Sequence, residues 1–132
     1  MYVMLCVDDD LGVAFNHRRQ SRDRLLRGRL LELTQDSLLW VDPYTAEQFE
    51  EDAPQLRTAE EPLTAAGEGE FCFLERESLP SCDAEGLYLY RWNRSYPADQ
   101  WLKLPLEEWT LVEQNEFPGS SHERITEEVY LR

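Results

Sequence analysis

A chain of 132 residues fits one domain with volume for a single core, and its 42% apolar and 11% aromatic content is too rich for disorder despite a net charge of −14. That acidity promotes solubility and disfavours general binding to nucleic acid or to a membrane surface. No apolar run approaches the ~20 residues of a spanning helix.

The first run, Tyr2 to Val7, is nearly all apolar and predicts a strand buried on both faces. Three aspartates follow before any signal-peptide core could finish, so the opening reads as a strand and not as a leader. Asp8-Asp9-Asp10-Leu11-Gly12 predicts a turn, because Asp and Gly tolerate the backbone angles that turns require. Cys6, Cys72 and Cys82 lack CxxC spacing, and two lie in apolar runs, which predicts free thiols and a cytoplasmic protein. With only His17 and His122 and no ligand spacing, the sequence argues against a zinc centre.

The segment from Arg18 to Arg29 holds six of the 13 basic residues in an otherwise acidic chain. Its helix is expected to start after Ser21 as N-cap, with Asp23 in the first turn where the dipole favours a carboxylate. Leu25, Leu26, Leu30 and Leu33 share one helical face, the expected core contact. Thr34 to Ser37 breaks the helix, and Leu38 to Val41 is a short central strand ended by Asp42-Pro43. A second helix is predicted from Thr45 as N-cap through Phe49.

Residues 50–70 turn acidic and Ala/Pro-rich, with weak helical character over 58–66 and a stop at Gly67. Phe71 to Leu74 and Leu87 to Trp92 read as strands, and Trp101 to Leu106 as a short extended piece. Trp109 to Phe117 and Glu123 to Leu131 flank Pro118-Gly119-Ser120-Ser121, which predicts an antiparallel hairpin. Early strands alternating with helices predict an α/β fold with a mostly parallel central sheet, few helices and a C-terminal antiparallel hairpin. Neither repeats nor an internal boundary divide 1–132, so the expectation is a single domain.

In this order the segments resemble the dihydrofolate-reductase-like family over nearly the whole chain, with deletions in the middle. YVMLCVDDDLGVAFN is similar to the family's first strand and Gly-containing loop, and SRDRLLRGRLLEL to the helix after it. LLWVDPYTAEQF is similar to the second strand and helix start, and TAEEPLTAAGEGEFCFLE to a later helix and strand. YPADQWLKLP resembles the loop that closes the family's active site, and EEWTLVEQNEFPGSSHERITEEVYLR its terminal hairpin.

The resemblance implies the family's three-layer fold and, by its chemistry, hydride transfer from a nicotinamide dinucleotide to a pterin-like ring. It places the pterin-pairing carboxylate on Asp23, the closing-loop aspartate on Asp99, and the late-strand threonine on Tyr90. Where the family carries an apolar pocket wall, this chain has Arg27, four residues after Asp23 and able to pair with it on the helix. The phosphate-cradling Gly-Arg-x-Thr reads Asp42-Pro43-Tyr44-Thr45, keeping only Thr45; Asp42 brings negative charge and Pro43 removes an N–H donor. The family's Gly-Gly turn falls on Leu74-Glu75-Arg76, without glycine.

These departures imply a shortened, divergent member that has lost nicotinamide binding, uses no cofactor, and serves as a small-ligand or protein binding or regulatory module. Its expected partners are a small anionic or pterin-like ligand or a protein, with Trp92, Trp101, Trp109 and Tyr96 as available aromatic anchors. The alternative is an NADPH-dependent reductase of a folate-, pterin- or riboflavin-precursor-like substrate, with Asp23, Thr45 and Asp99 in the family's roles. A second alternative, nucleic-acid contact through residues 18–29, is opposed by the acidic body. Asp8, Asp9 and Asp10 are expected to pair with Arg18 and Arg19, since the loop brings them near. Ser120-Ser121-His122 is consecutive, sits at an expected hairpin tip and has no obvious orienting acid, which argues against nucleophilic catalysis.

Overall fold

The computed structural model describes residues Met1–Arg132. Ten strands are present: β1 (Tyr2–Val7), β2 (Gly12–Phe15), β3 (Arg18–Arg19), β4 (Leu39–Val41), β5 (Leu56–Thr58), β6 (Phe71–Leu74), β7 (Gly86–Arg91), β8 (Gln100–Trp101), β9 (Thr110–Phe117) and β10 (Ile125–Leu131). The helices are α1 (Arg24–Leu33), α2 (Pro43–Ala46) and α3 (Pro62–Ala65), with one 3₁₀ turn at Leu106–Glu108. No helix is long and apolar enough to cross a membrane.

Seven strands form one sheet in the order β5-β4-β6-β1-β7-β10-β9. Strands β5, β4, β6, β1 and β7 are mutually parallel, and β10 runs antiparallel to both β7 and β9. This is the mostly parallel sheet with a closing hairpin that the alternation of segments predicts. All four apolar runs expected in the sheet are strands there. Val3, Leu5, Val7, Leu87 and Leu89 point into one core cluster, while Met4, Phe73, Tyr90, Leu26 and Leu30 make the other, under α1. The central strand is therefore buried on both faces, as its unbroken apolar run requires.

Several boundaries differ from expectation. Helix α1 is capped by Asp23, not Ser21: its carboxylate accepts from the Leu25 and Leu26 amides, which places Asp23 before the helix and not in its first turn. Leu25 then lies on the flank, 40% exposed, and the buried face is Leu26, Arg27 and Leu30. Helix α2 begins three residues early, because Asp42 caps it through the Thr45 amide and Pro43 takes the first helical position, where a missing N–H costs nothing.

A small second sheet, β3-β2-β8, stands beside the first. Its β2–β3 hairpin turns through Asn16 and His17, both at positive φ (58° and 61°), the two-residue turn whose twist matches paired strands. The preceding turn is built on Asp8, whose buried carboxylate accepts from the Asp10, Gly12 and Tyr96 amides and from Gln20 Nε2. A Cβ at Gly12 would stand 2.9 Å from that carboxylate and 2.8 Å from Ala98 Cβ, so this close approach requires glycine.

Candidate functional site

In this architecture the head of the sheet lies where β1, β4, β6 and β7 end, with Asp8, Asp23, Asp42 and Glu75 on the segments that follow or approach it. Each of these carboxylates is taken up by the protein itself. Asp23 is the clearest case. Its Oδ1 accepts from the Leu25, Leu26 and Ser120 amides at 2.9, 3.1 and 2.9 Å, and its Oδ2 from the Ser121 amide at 2.8 Å and His122 Nδ1 at 3.0 Å. Burial alone would raise its pKa, but the hydrogen bonds from His122, the Ser120 and Ser121 amides and the Leu26 amide outweigh it and hold the carboxyl well below the usual carboxylate range.

Because Asp23 is ionised, the imidazole must carry its proton on Nδ1 and donate to it. The other ring nitrogen, Nε2, meets the Tyr96 hydroxyl at 2.8 Å, and the ring lies stacked on Trp92 with centroids 4.3 Å apart. His122 is only 6% exposed. The consecutive Ser120-Ser121-His122 does have an orienting acid, 97 to 99 residues upstream, which corrects the expectation from sequence. Ser120 Oγ, however, accepts from the Arg24 amide, so the arrangement clamps the hairpin tip onto the start of α1.

Arg27 does not pair with Asp23. Its Nε reaches Glu51 at 2.9 Å instead, because Asp23 turns back as the helix cap while Arg27 leaves the helix on the side of the α2–β5 connection. The expected pairing of Arg18 and Arg19 with Asp8, Asp9 and Asp10 is likewise absent. Asp8 is consumed by its turn, and Arg19 Nε binds Glu75 at 2.9 Å. Arg19 and Arg76 sandwich the Tyr44 ring, each guanidinium carbon 4.2 Å from its centroid, and Arg76 bridges to Asp42 at 3.0 Å. Burial would raise the Asp42 pKa, but the Thr45 amide and Arg76 reverse the direction and lower it.

Of the other candidate residues, Thr45 is buried with its Oγ1 unpartnered, and its amide is occupied by Asp42 Oδ1 at 2.7 Å. Asp99 is exposed and accepts from the Asn16 amide at 3.1 Å, tying the loop before β8 to the β2–β3 turn. Tyr90 is fully buried away from Asp23: its hydroxyl donates to Glu127 at 2.8 Å, and Glu127 also receives both arms of Arg29 at 2.9 Å. Burial and the Glu127 charge push the Tyr90 phenol well up. Sequence reasoning missed His122 and Glu127 as members of these networks. An inward-facing Glu in a strand of alternating apolar residues was the one available signal for the second.

What remains open between β1, β2 and β7 is a void of about 10 Å³, lined by Cys6, Val13, Arg19, Gln20, Glu75 and Trp92, among others. Burial, followed by the charges of Glu75 and Asp23, pushes the Cys6 thiol well up, as expected for an inert packed thiol. Beside this void, and sharing Arg19, Gln20 and Ser21 with it, a shallow depression of about 350 Å³ lies between the β2–β3 hairpin and α2, with Arg18, Arg22 and Tyr44 also in its lining. A second hollow of about 390 Å³ lies past the end of β7 beside Trp92 and His122.

No protein-family model matches the chain, and no curated protein sequence does. Among solved structures, the chain is similar to the dihydrofolate reductase from Enterococcus faecalis complexed with NADP(H) and RAB-propyl, with a TM-score of 0.65 at 12% identity, over 99% of this chain and 95% of that one. At that identity the likeness speaks for the backbone and not for the chemistry. The chain has the dihydrofolate-reductase-like fold.

Proposed function

We propose that this chain is a binding or regulatory module that keeps the dihydrofolate-reductase-like fold without its hydride-transfer chemistry, and that it engages a small anionic ligand or a protein. The observation that carries this reading is the closed space between β1, β2 and β7 at the head of the sheet. Ligand pockets run to ~300–1,000 Å³, whereas the void enclosed between β1, β2 and β7 is about 10 Å³, scarcely one water. The larger hollows next to it, about 390 Å³ beside Trp92 and His122 and about 350 Å³ beside Arg18 and Tyr44, lie open at the surface.

The residues at the corresponding phosphate positions do not fit a dinucleotide. The Thr45 amide, which a phosphate would need, is bonded to Asp42, and a second carboxylate, Glu75, stands where a glycine would let backbone approach. Carboxylates in place of two glycines, with Pro43 in place of the cation, remove the donors a pyrophosphate needs and block close approach of the backbone. Asp23, with five donors on it, has no lone pair left for a pterin.

A second reading, an NADPH-dependent reductase of a pterin-like substrate, is favoured by the carboxylate at the start of α1 and by the NADP(H) complex named for the structural neighbour. It requires the clamp on Asp23 and the Arg19–Glu75 pair to open. Titrating reduced nicotinamide fluorescence with the protein separates the two. The proposal expects no change at millimolar cofactor, and a saturable enhancement would overturn it.

A further inference from the structure

Six arginines lie between Arg18 and Arg29, and three of them are accounted for: Arg19 by Glu75, Arg27 by Glu51, and Arg29 by Glu32 and Glu127. Arg18, Arg22 and Arg24 are exposed and make no ion pair, although the chain as a whole carries −14. Two of these three share one hollow. Arg18 and Arg22 line the same 350 Å³ depression, together with Arg19, Ser21, Tyr44 and Ser121, and no acidic residue contributes to its lining.

The depression has a rigid floor. Arg19 is held by Glu75 through Nε, by the Tyr44 carbonyl through Nη2 at 3.2 Å, and by the Tyr44 ring beneath it, which leaves its Nη1 donors without a partner in the chain. Its backbone amide donates to the Tyr44 hydroxyl at 2.9 Å, so hairpin and α2 are locked together. Ser121, also in the lining, is held by the hydrogen bond its backbone N–H donates to Asp23 Oδ2. A donor already immobilised loses little entropy on binding, and guanidinium forks match the oxygens of a tetrahedral oxyanion.

We propose that this depression binds a small phosphate monoester. The inference rests on the reading of the chain as a binding module and names its ligand class. Two unpaired charges, Arg18 and Arg22, balance a phosphate dianion; the fixed Nη1 of Arg19 and the hydroxyls of Ser21 and Ser121 supply neutralised or neutral donors for its remaining lone pairs. A volume at the small end of ligand pockets suits one phosphate with one ring or short chain. A longer polyanion would extend over the acidic body and be repelled there.

The test is isothermal titration calorimetry with phenyl phosphate and with inorganic phosphate, on the full chain at physiological ionic strength. The expected result is saturable binding of phenyl phosphate at sub-millimolar concentration, at least tenfold weaker in the Arg18→Gln/Arg22→Gln double variant and unchanged in Arg24→Gln. The last variant removes one such charge from a residue outside the depression. Inorganic phosphate binding as tightly as the ester would keep the site and assign it to free phosphate. No binding at millimolar phenyl phosphate, an equal loss in Arg24→Gln, or tighter binding of a short RNA than of the ester would overturn the proposal. Because no nicotinamide is present, failure here is separate from failure of the non-reductase reading, which the fluorescence titration reports.

Discussion

Helix α1 holds two buried carboxylates by different means. At its start, Asp23 is cradled by four backbone amides and one imidazole. Along its inner face, Glu127 of β10 is held by the guanidinium of Arg29 and the phenol of Tyr90, all side chains. The first arrangement depends on where the backbone of the 118–124 loop runs, and so couples a distant hairpin tip to the helix cap. The second depends on three side chains on adjoining elements and would survive movement of that tip. Only the first involves the carboxylate that the sequence resemblance singles out.

The largest effect is expected at the side-chain cluster. Glu127→Ala leaves the buried Tyr90 hydroxyl without its acceptor and Arg29 with only Glu32, and breaking a buried pair by removing one partner costs about 3 kcal/mol. Urea denaturation should show that loss with the hairpin tip still in place. Asp23→Asn should cost about 2 kcal/mol, since it leaves charge-assisted bonds neutral and turns one acceptor into a donor against the Ser121 amide and His122. Hydrogen exchange at Ser120 and Ser121 should accelerate in this variant and not in Glu127→Ala.

The pH dependence sharpens the same contrast. The folded Asp23 pKa is depressed, so between the folded value and the unfolded value of about 3.9 the unfolded state binds more protons. Its stabilisation is therefore complete above about pH 5 and is lost as pH falls below about 4. Asp23→Asn should flatten that part of the acid limb. Glu127, also depressed because Arg29 and Tyr90 overcome the effect of burial, should leave a residual slope in the variant.

A smaller loss, about 1–2 kcal/mol, is expected for Gly119→Ala. An added Cβ there would run into Asp23 Oδ2 and stand 3.0 Å from the His122 carbonyl. Arg18→Gln should change stability by no more than about 0.5 kcal/mol, since Arg18 is exposed and unpaired. Thermal unfolding of the two variants side by side checks both.

Sequence patterning made the sheet legible because its inner strands are short, almost wholly apolar runs, and the Pro-Gly separation marked the hairpin. Strand β5 and the β3-β2-β8 sheet were not legible. Their two- to four-residue segments, such as Leu56-Arg57-Thr58, carry no periodicity and are strands only because a neighbour offers a ladder. At the site, the choice of Asp23 as the notable carboxylate came from the resemblance, while its partners did not follow from local spacing. An i to i+4 rule pairs it with Arg27; the structure gives it to amides and an imidazole 97 to 99 residues away. The same local logic paired Arg18 and Arg19 with Asp8, Asp9 and Asp10, and a turn capped by Asp8 took precedence. Short-range charge attraction is worth a few tenths of a kcal/mol, less than the satisfaction of a buried carboxylate by backbone.

The central proposal is that the space between β1, β2 and β7, filled by the protein's own side chains, carries no hydride transfer. NADPH-dependent reduction of dihydrofolate, followed by loss of reduced-nicotinamide absorbance at protein concentrations comparable to substrate, tests it most directly. The account predicts a rate indistinguishable from the protein-free control in both the native chain and Asp23→Asn. A protein-dependent rate in the native chain that disappears in Asp23→Asn would contradict it.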